Sequence, residues 1–129
     1  MKQKTHLKIN RDLCGEPVAI EECYSKVRLQ TTLEMVLDET GLVHGGFTFS
    51  LADHAAMLAV NHPNVVLGSA NVKFLKPVVK GDILLAEARL LKSEGKRRVV
   101  DVEVTNKIEL VFKGEFTCFI PEKHVLKDI

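Results

Sequence analysis

Asp53 is the only carboxylate in the run from Gly45 to Asn61, and its neighbours three and four residues away, Phe49, Ser50, Ala56 and Met57, are all uncharged. A helix that is apolar on all sides is normally a buried helix, and a buried carboxylate is costly unless it has a partner or a task. Desolvation raises its proton affinity, which suits a general base, and a carboxylate can also attack directly as a nucleophile. Two turns into the helix, Asp53 is too far in to cap it. The triplet His44-Gly45-Gly46 stands where that helix begins. Amides at that position lack intrahelical acceptors, the helix dipole is positive, and glycines let a ligand approach the backbone, so Gly45 and Gly46 form a candidate oxyanion site. Each feature also has a plainer use: the glycines can simply shape a turn, and the acid can bond to backbone or to a partner subunit.

Gly45 and Asp53 are eight residues apart, or about 12 Å along one helix axis. A reacting carbonyl must lie about 3 Å from both the oxyanion donor and the attacking group. Two copies with antiparallel central helices bring the N-terminus of one beside the middle of the other, giving two equivalent sites about a twofold axis. The expected active unit is therefore at least a dimer.

The elements that hold this stretch follow from hydrophobic periodicity. Thr5 to Cys14 reads as a short helix ended by Gly15 and Pro17, Val18 to Ile20 as a short strand, and Cys23 to Glu34 as a strand burying Val27, Leu29 and Leu33. Asp38 to Gly41 is a turn, the central helix runs from about Gly45 to Asn61, and His62-Pro63-Asn64 ends it. Further strands are expected over Val65 to Leu75, Ile83 to Leu91, Arg97 to Thr105 and Leu110 to Ile120. Leu84, Ala86, Ala88 and Leu90 share one face of the second of these, and Val100, Val102 and Val104 one face of the third. In the last, Leu110, Phe112, Phe116, Cys118 and Ile120 share a face, and the tail from Glu122 to Ile129 reads as a frayed or surface segment. Hairpin-length connections around one long helix exclude parallel βαβ units and place the chain in the α+β class, an antiparallel sheet wrapped on a buried helix.

With 129 residues, 46% hydrophobic and 27% charged, the chain is expected to form one domain over residues 1–129 with a core of its own. A net charge of +1 leaves no general footprint for nucleic acid or membrane. No run is long and apolar enough to span a bilayer and no secretory signal is present, so cytoplasm is the expected location. Cys14, Cys23 and Cys118 are odd in number and form no CxxC pair, which argues against a disulfide framework or a zinc site. No metal is expected. His54 is turned about 100° from Asp53 and does not share its face.

The run His44-Gly45-Gly46, then Asp53 in Leu51-Ala52-Asp53, then Asn71-Val72-Lys73-Phe74-Leu75-Lys76-Pro77 and Gly81-Asp82, resembles the hotdog-fold acyl-CoA thioesterases of the phenylacetate-type (PaaI-like) family over roughly residues 15 to 120. The resemblance implies a sheet wrapped on a central helix, dimers that commonly pair into tetramers, and hydrolysis of an acyl-CoA to a free acid and coenzyme A. It implies that Gly45 donates its amide to the thioester oxygen, that Asp53 of the facing subunit is the base or nucleophile, and that His44 orients local groups. No separate cofactor is implied, coenzyme A being part of the substrate. Two positions depart from the family pattern. Asp38 stands where relatives often carry Asn, and Leu67 falls near a site Ser or Thr, with Ser69 close by. Substrate-binding candidates are thus Asp38, Ser69, Asn71 and Lys73, with Arg97 and Arg98 of the Lys96-Arg97-Arg98 cluster offered to coenzyme A phosphates beside Lys76 and Lys80. Asp38 in an Asx-type turn and a solvated hairpin for the arginines are the alternatives. Phe47, Phe49, Met57 and Phe74 are candidates either for an acyl pocket or for core. A non-catalytic acyl-CoA-binding sensor and a hotdog hydratase or dehydratase are the competing functions.

Overall fold

A computed structural model describes residues 1–127. A short helix, α1 (Arg11–Cys14), leads into strands β1 (Glu16–Glu21) and β2 (Tyr24–Gln30), followed by the long helix α2 (Gly45–Val60) and then by β3 (Val66–Phe74), β4 (Ile83–Glu94), β5 (Arg97–Thr105) and β6 (Leu110–Phe119). The six strands form one sheet in the order β1-β2-β4-β5-β6-β3, with every neighbouring pair antiparallel. This is the α+β arrangement expected, and it is the hotdog fold.

The sheet curls around α2 because small residues meet across the contact. Ala52, Ala55, Ala56 and Ala59 of the helix and Ala86 and Ala88 of β4 are all buried, with Val100, Val102 and Val104 of β5 in the same core. Their short side chains let helix and sheet approach, and Phe112 and Phe116 fill the wider end. A buried hydroxyl ties the layers: Ser25 Oγ on β2 donates to the Ala55 carbonyl at 2.6 Å. Asn61 ends α2 in the left-handed conformation, its amide bonding the Met57 carbonyl at 2.8 Å, just before His62-Pro63.

The N-terminal segment differs from the expected helix. Only Arg11–Cys14 is helical, capped by Asn10, whose side chain accepts from the amides of Asp12 and Leu13. Upstream, the Asn61 side chain accepts from Lys4 N at 2.8 Å and donates to the Lys2 carbonyl at 2.9 Å. These bonds moor the segment to the end of α2, while Gln3 Nε2 takes the Thr5 and His6 carbonyls that a helix would have used and His6 adopts φ +56. Leu33 is likewise not a buried strand residue. Thr31 stops β2 by bonding the Asp82 carbonyl through both its amide (3.0 Å) and its hydroxyl (2.7 Å). The chain then makes a 3-10 turn, Leu33–Met35, that leaves Leu33 70% exposed and buries Met35 instead. On β6, Val111 joins Phe112 in the core, because the segment after β3 folds over it and the amides of Leu75 and Lys76 both reach the Val111 carbonyl. β4 continues to Glu94, past the expected Leu91. The tail holds a 3-10 turn, Val125–Lys127, and its last two residues lie outside the described range.

Gly15 joins α1 to β1 at φ +104 and ψ 156, a region open essentially only to glycine. A methyl group there would lie 2.7 Å from Leu51 Cδ1 and from Val27 Cγ1. Gly15→Ala is expected to destabilise the fold by about 3 kcal/mol, combining backbone strain with overpacking. Urea unfolding should show the midpoint falling with little change in slope.

Candidate active site

The start of α2 is held by a short ladder. Val36 pairs with Val43 and Leu42 with Val79, while Val43 N bonds the Val78 carbonyl and His44 N the Met35 carbonyl, each at 2.8 Å. His44 sits at the N-cap with extended backbone (φ −60, ψ 129), and its side chain makes no capping bond. Its ring folds over Gly46 instead, where a Cβ would lie 2.9 Å from Nε2. Phe74, from the end of β3, covers Gly45 in the same way, its ring 3.1 Å from where a Cβ would stand. A side chain at either glycine would meet these rings, which would have to shift to admit it. Beside them opens a pocket of about 330 Å³ walled by Leu37, Val43, Thr48, Phe74, Val78 and Val111, in which Lys76 is the one charged side chain. The arrangement is a helix N-terminus facing an apolar recess, suited to a polarised carbonyl with an apolar substituent.

Two turns along, Asp53 is partly buried and its Oδ1 is fully enclosed without a hydrogen-bond partner. Desolvation pushes its carboxyl up from 3.8 to about 6. Its field reaches two thiols. Cys118 is pushed up to about 12, by burial first and by Asp53 second, and Cys14 rises for the same two reasons. A proton affinity near neutrality with no resident partner is what a general base requires.

The next residue, His54, lies on a different face. It is 1% exposed, its Nδ1 is 3.1 Å from the Cys14 carbonyl, and its ring stacks on His6 at 6.2 Å between centroids. Because a carbonyl only accepts, Nδ1 carries the proton, and burial lowers the pKa, keeping the ring neutral. His54 thus anchors the N-terminal segment and places Cys14 beside Asp53. Neither role was readable from the sequence, where Cys14 looked like an ordinary small residue.

Three contacts show how α2 lies against the sheet edge. Gly45 meets Phe74, at the end of β3; Phe49 meets Phe116 at 5.5 Å between centroids, and Phe116 pairs with Ala70 at the middle of β3; Asp53 acts on Cys118, which pairs with Leu67 near the start of β3. The helix therefore runs antiparallel to β3, with the glycines at one end of the strand and the acid at the other. Within one chain they stay about 12 Å apart.

The remaining candidates are dispersed. Asp38 is exposed in a turn, accepting from the amide (2.9 Å) and hydroxyl (2.5 Å) of Thr40, which hold its carboxyl below the usual range. Ser69, Asn71 and Lys73 are exposed on β3, opposite Thr117, Glu115 and Lys113. Arg98 gives its Nη1 to the Gly95 and Arg97 carbonyls, and Arg97 lies 4.0 Å from Glu94. Lys96 lies 3.9 Å from Glu122. Met57 is core, Phe47 and Phe49 pack partly buried against the core, and Phe74 is 56% exposed at the pocket. Among the described residues, no group of three or more His, Cys, Asp or Glu could hold a metal ion. No helix there is long and apolar enough to cross a membrane.

Comparison with known proteins agrees with this fold. The model of the Thioesterase superfamily matches residues 40–112, from the turn before the helix to the last strand. An uncharacterized protein of Pyrococcus horikoshii superposes with a TM-score of 0.96 at 53% identity, over 98% of this chain and 97% of that one. The PaaI protein of E. coli, from the phenylacetic acid degradation operon, gives 0.79 at 27% identity over 87% and 83%. A Streptococcus mutans protein solved with acetyl-CoA bound gives 0.79 at 29% identity over 93% and 99%. Among curated relatives, methylthioribose-1-phosphate isomerase of Aquifex aeolicus is 54% identical over 90% of this chain. The transcription factor FapR of Caldanaerobacter subterraneus is 29% identical over 92%. The chain spans only 25% of the first and 60% of the second. With a family match over more than half its length, centred on the helix and strand that carry the site, the chain belongs to the thioesterase superfamily.

Proposed function

We propose that the protein is an acyl-CoA thioesterase that works as a homodimer, or as a pair of dimers, on cytoplasmic acyl-CoA. The observation that carries this reading is the antiparallel course of α2 along β3. β3 is an edge strand, exposed from Gly68 to Asn71, with Phe74 and Phe119 also open beside it. Such an edge calls for cover. Pairing two β3 edges antiparallel about their midpoints sets the end of one strand beside the start of the other. The Gly45 amide of one subunit then faces Asp53 of the partner subunit, closing the gap that one chain leaves open.

In that site the Gly45 amide, aided by the helix dipole, holds the thioester oxygen as it becomes negative, a contribution of about 3 kcal/mol. Gly46 lets the His44 ring pack against the start of the helix. Asp53 takes the proton of a water that attacks the carbonyl carbon; the C–S bond breaks, and the proton passes to the departing thiolate. Direct attack by Asp53, giving an anhydride that water then opens, is the other route through the same residues. Asp38, Ser69, Asn71, Lys73, Arg97 and Arg98 lie away from this centre, so any role for them is at the substrate's periphery. No separate cofactor enters. The similarity to FapR favours a second reading, a protein that binds acyl-CoA without cleaving it. Against it stands Asp53, a desolvated carboxylate that binding alone does not use.

Three outcomes test the proposal. Thiol release from a panel of acyl-CoAs should be lost by at least 100-fold in Asp53→Asn, whereas absence of release from every thioester by the wild type would favour the sensor. The wild-type kcat/KM should fall below pH about 6, as Asp53 takes up its proton. Sedimentation under assay conditions should show a dimer or larger; an active monomer would refute the shared site.

The same carboxyl has a consequence for stability. Its proton affinity is higher folded (about 6) than unfolded (3.8), so between these values the folded state holds the proton and stability falls as pH rises. Asp53→Asn should therefore be more stable than wild type above pH 6, by about 1–3 kcal/mol, with the difference fading below pH about 4. Urea titrations at the two pH values would measure it.

A further inference from the structure

The N-terminal segment, the start of β3 and His124 enclose a second pocket of about 560 Å³. Leu7, Ile9, Pro63, Val65 and Val66 provide apolar surface, while Lys4, Lys8, His6 and His124 line it with nitrogen and no carboxylate joins them. Some surface cations are paired: Arg11, Arg89, Lys92, Lys96 and Arg97 each lie within 4.0 Å of a glutamate. Among the described residues, Lys4 and Lys8 have no such partner. The wall is also built rather than loose. Asn61 holds the backbone of Lys2 and Lys4, Gln3 Nε2 donates to the carbonyls of Thr5 (2.9 Å) and His6 (3.3 Å), Thr5 is buried, and His6 is stacked on His54.

Unpaired ammonium groups over an apolar floor match a ligand that combines phosphates with a flat apolar ring. The place of the pocket narrows the choice. Val65 and Val66 lie at the start of β3, whereas the Gly45 pocket is walled by Phe74, Leu75 and Lys76 at its end. If two β3 edges pair antiparallel as proposed, the end of one strand meets the start of the other, which would bring the Gly45 recess of one subunit toward the basic pocket of its partner. A thioester held at Gly45 would leave its long polar arm along that line.

We propose that this basic pocket binds the 3′-phosphorylated adenosine diphosphate end of coenzyme A, with Lys4 and Lys8 on the phosphates and Leu7, Ile9 and Val65 against the base. The inference rests on the acyl-CoA reading and adds to it a nucleotide site contributed by the subunit opposite Gly45. It also accounts for specificity between coenzyme A thioesters and thioesters that lack the nucleotide.

The test uses the full chain with adenosine 3′,5′-bisphosphate as probe in calorimetry, beside Lys4→Glu, Lys8→Glu and, as a remote control, Lys92→Glu. Both side chains are exposed, so folding is not at stake. Each of the first two variants should weaken probe binding roughly tenfold, and Lys92→Glu should not. In hydrolysis, the ratio of kcat/KM for an acyl-CoA over the matching acyl-pantetheine should drop by a similar factor in Lys4→Glu and Lys8→Glu. Unchanged probe affinity, or an equal loss on both substrates, would overturn the nucleotide site while leaving the thioesterase reading standing. Lysine-dependent probe binding by a wild type that cleaves no thioester would support the site and remove the hydrolase.

Discussion

Close contact between the alanine face of α2 and the alanines of β4 is the constraint on which the rest depends. It draws the helix so far into the sheet that most of its surface is sealed, and polar groups on it must either find a partner or face the side the sheet leaves open. Thr48 and His54 are sealed; His54 takes the Cys14 carbonyl. Asp53 stands at the margin, where the sheet stops at β3. Its chemistry is thus a product of geometry: the surroundings remove water from the carboxyl without giving it a counter-charge, and its affinity for a proton climbs toward neutrality.

The same contact keeps Gly45 and Asp53, the two groups of the proposed site, apart within one chain. A helix start supplies amides only in its first turn, and a carboxylate that close would sit in the positive end of the dipole, where its proton affinity would be lowered. Two turns of separation let Asp53 escape that influence. The edge strand carries the complementary information: β3 is open, and in the proposed dimer its direction sets the order in which glycines and acid would meet a second copy.

Much of this was legible in the sequence. The unaccompanied Asp53, the paired glycines, Pro63 after the helix and the alternating valines of β5 each follow from local rules, and they gave the helix, most strands and the candidate residues of the proposed site. The misreadings share one cause. Leu33, Val111 and residues 5–10 have local patterns that side-chain and tertiary bonds override: Thr31 ends a strand early, the Leu75 and Lys76 amides close over Val111, and Gln3 takes the Thr5 and His6 carbonyls away from a helix. The stack of His6 on His54 joins residues far apart in the chain and has no periodic signature. Lys4 and Lys8 were invisible as a pair for the same reason, because only the fold brings them to one pocket with His6 and His124.

Asn61 performs two tasks with one side chain and one unusual backbone angle. Glycine would accept the left-handed conformation but offer nothing to the N-terminal segment; aspartate would present an acceptor where the Lys2 carbonyl needs a donor. Ending the helix and mooring the segment that carries Lys4, His6 and Cys14 are therefore a single inherited unit. A substitution at this position would disturb both the end of α2 and the placement of that segment.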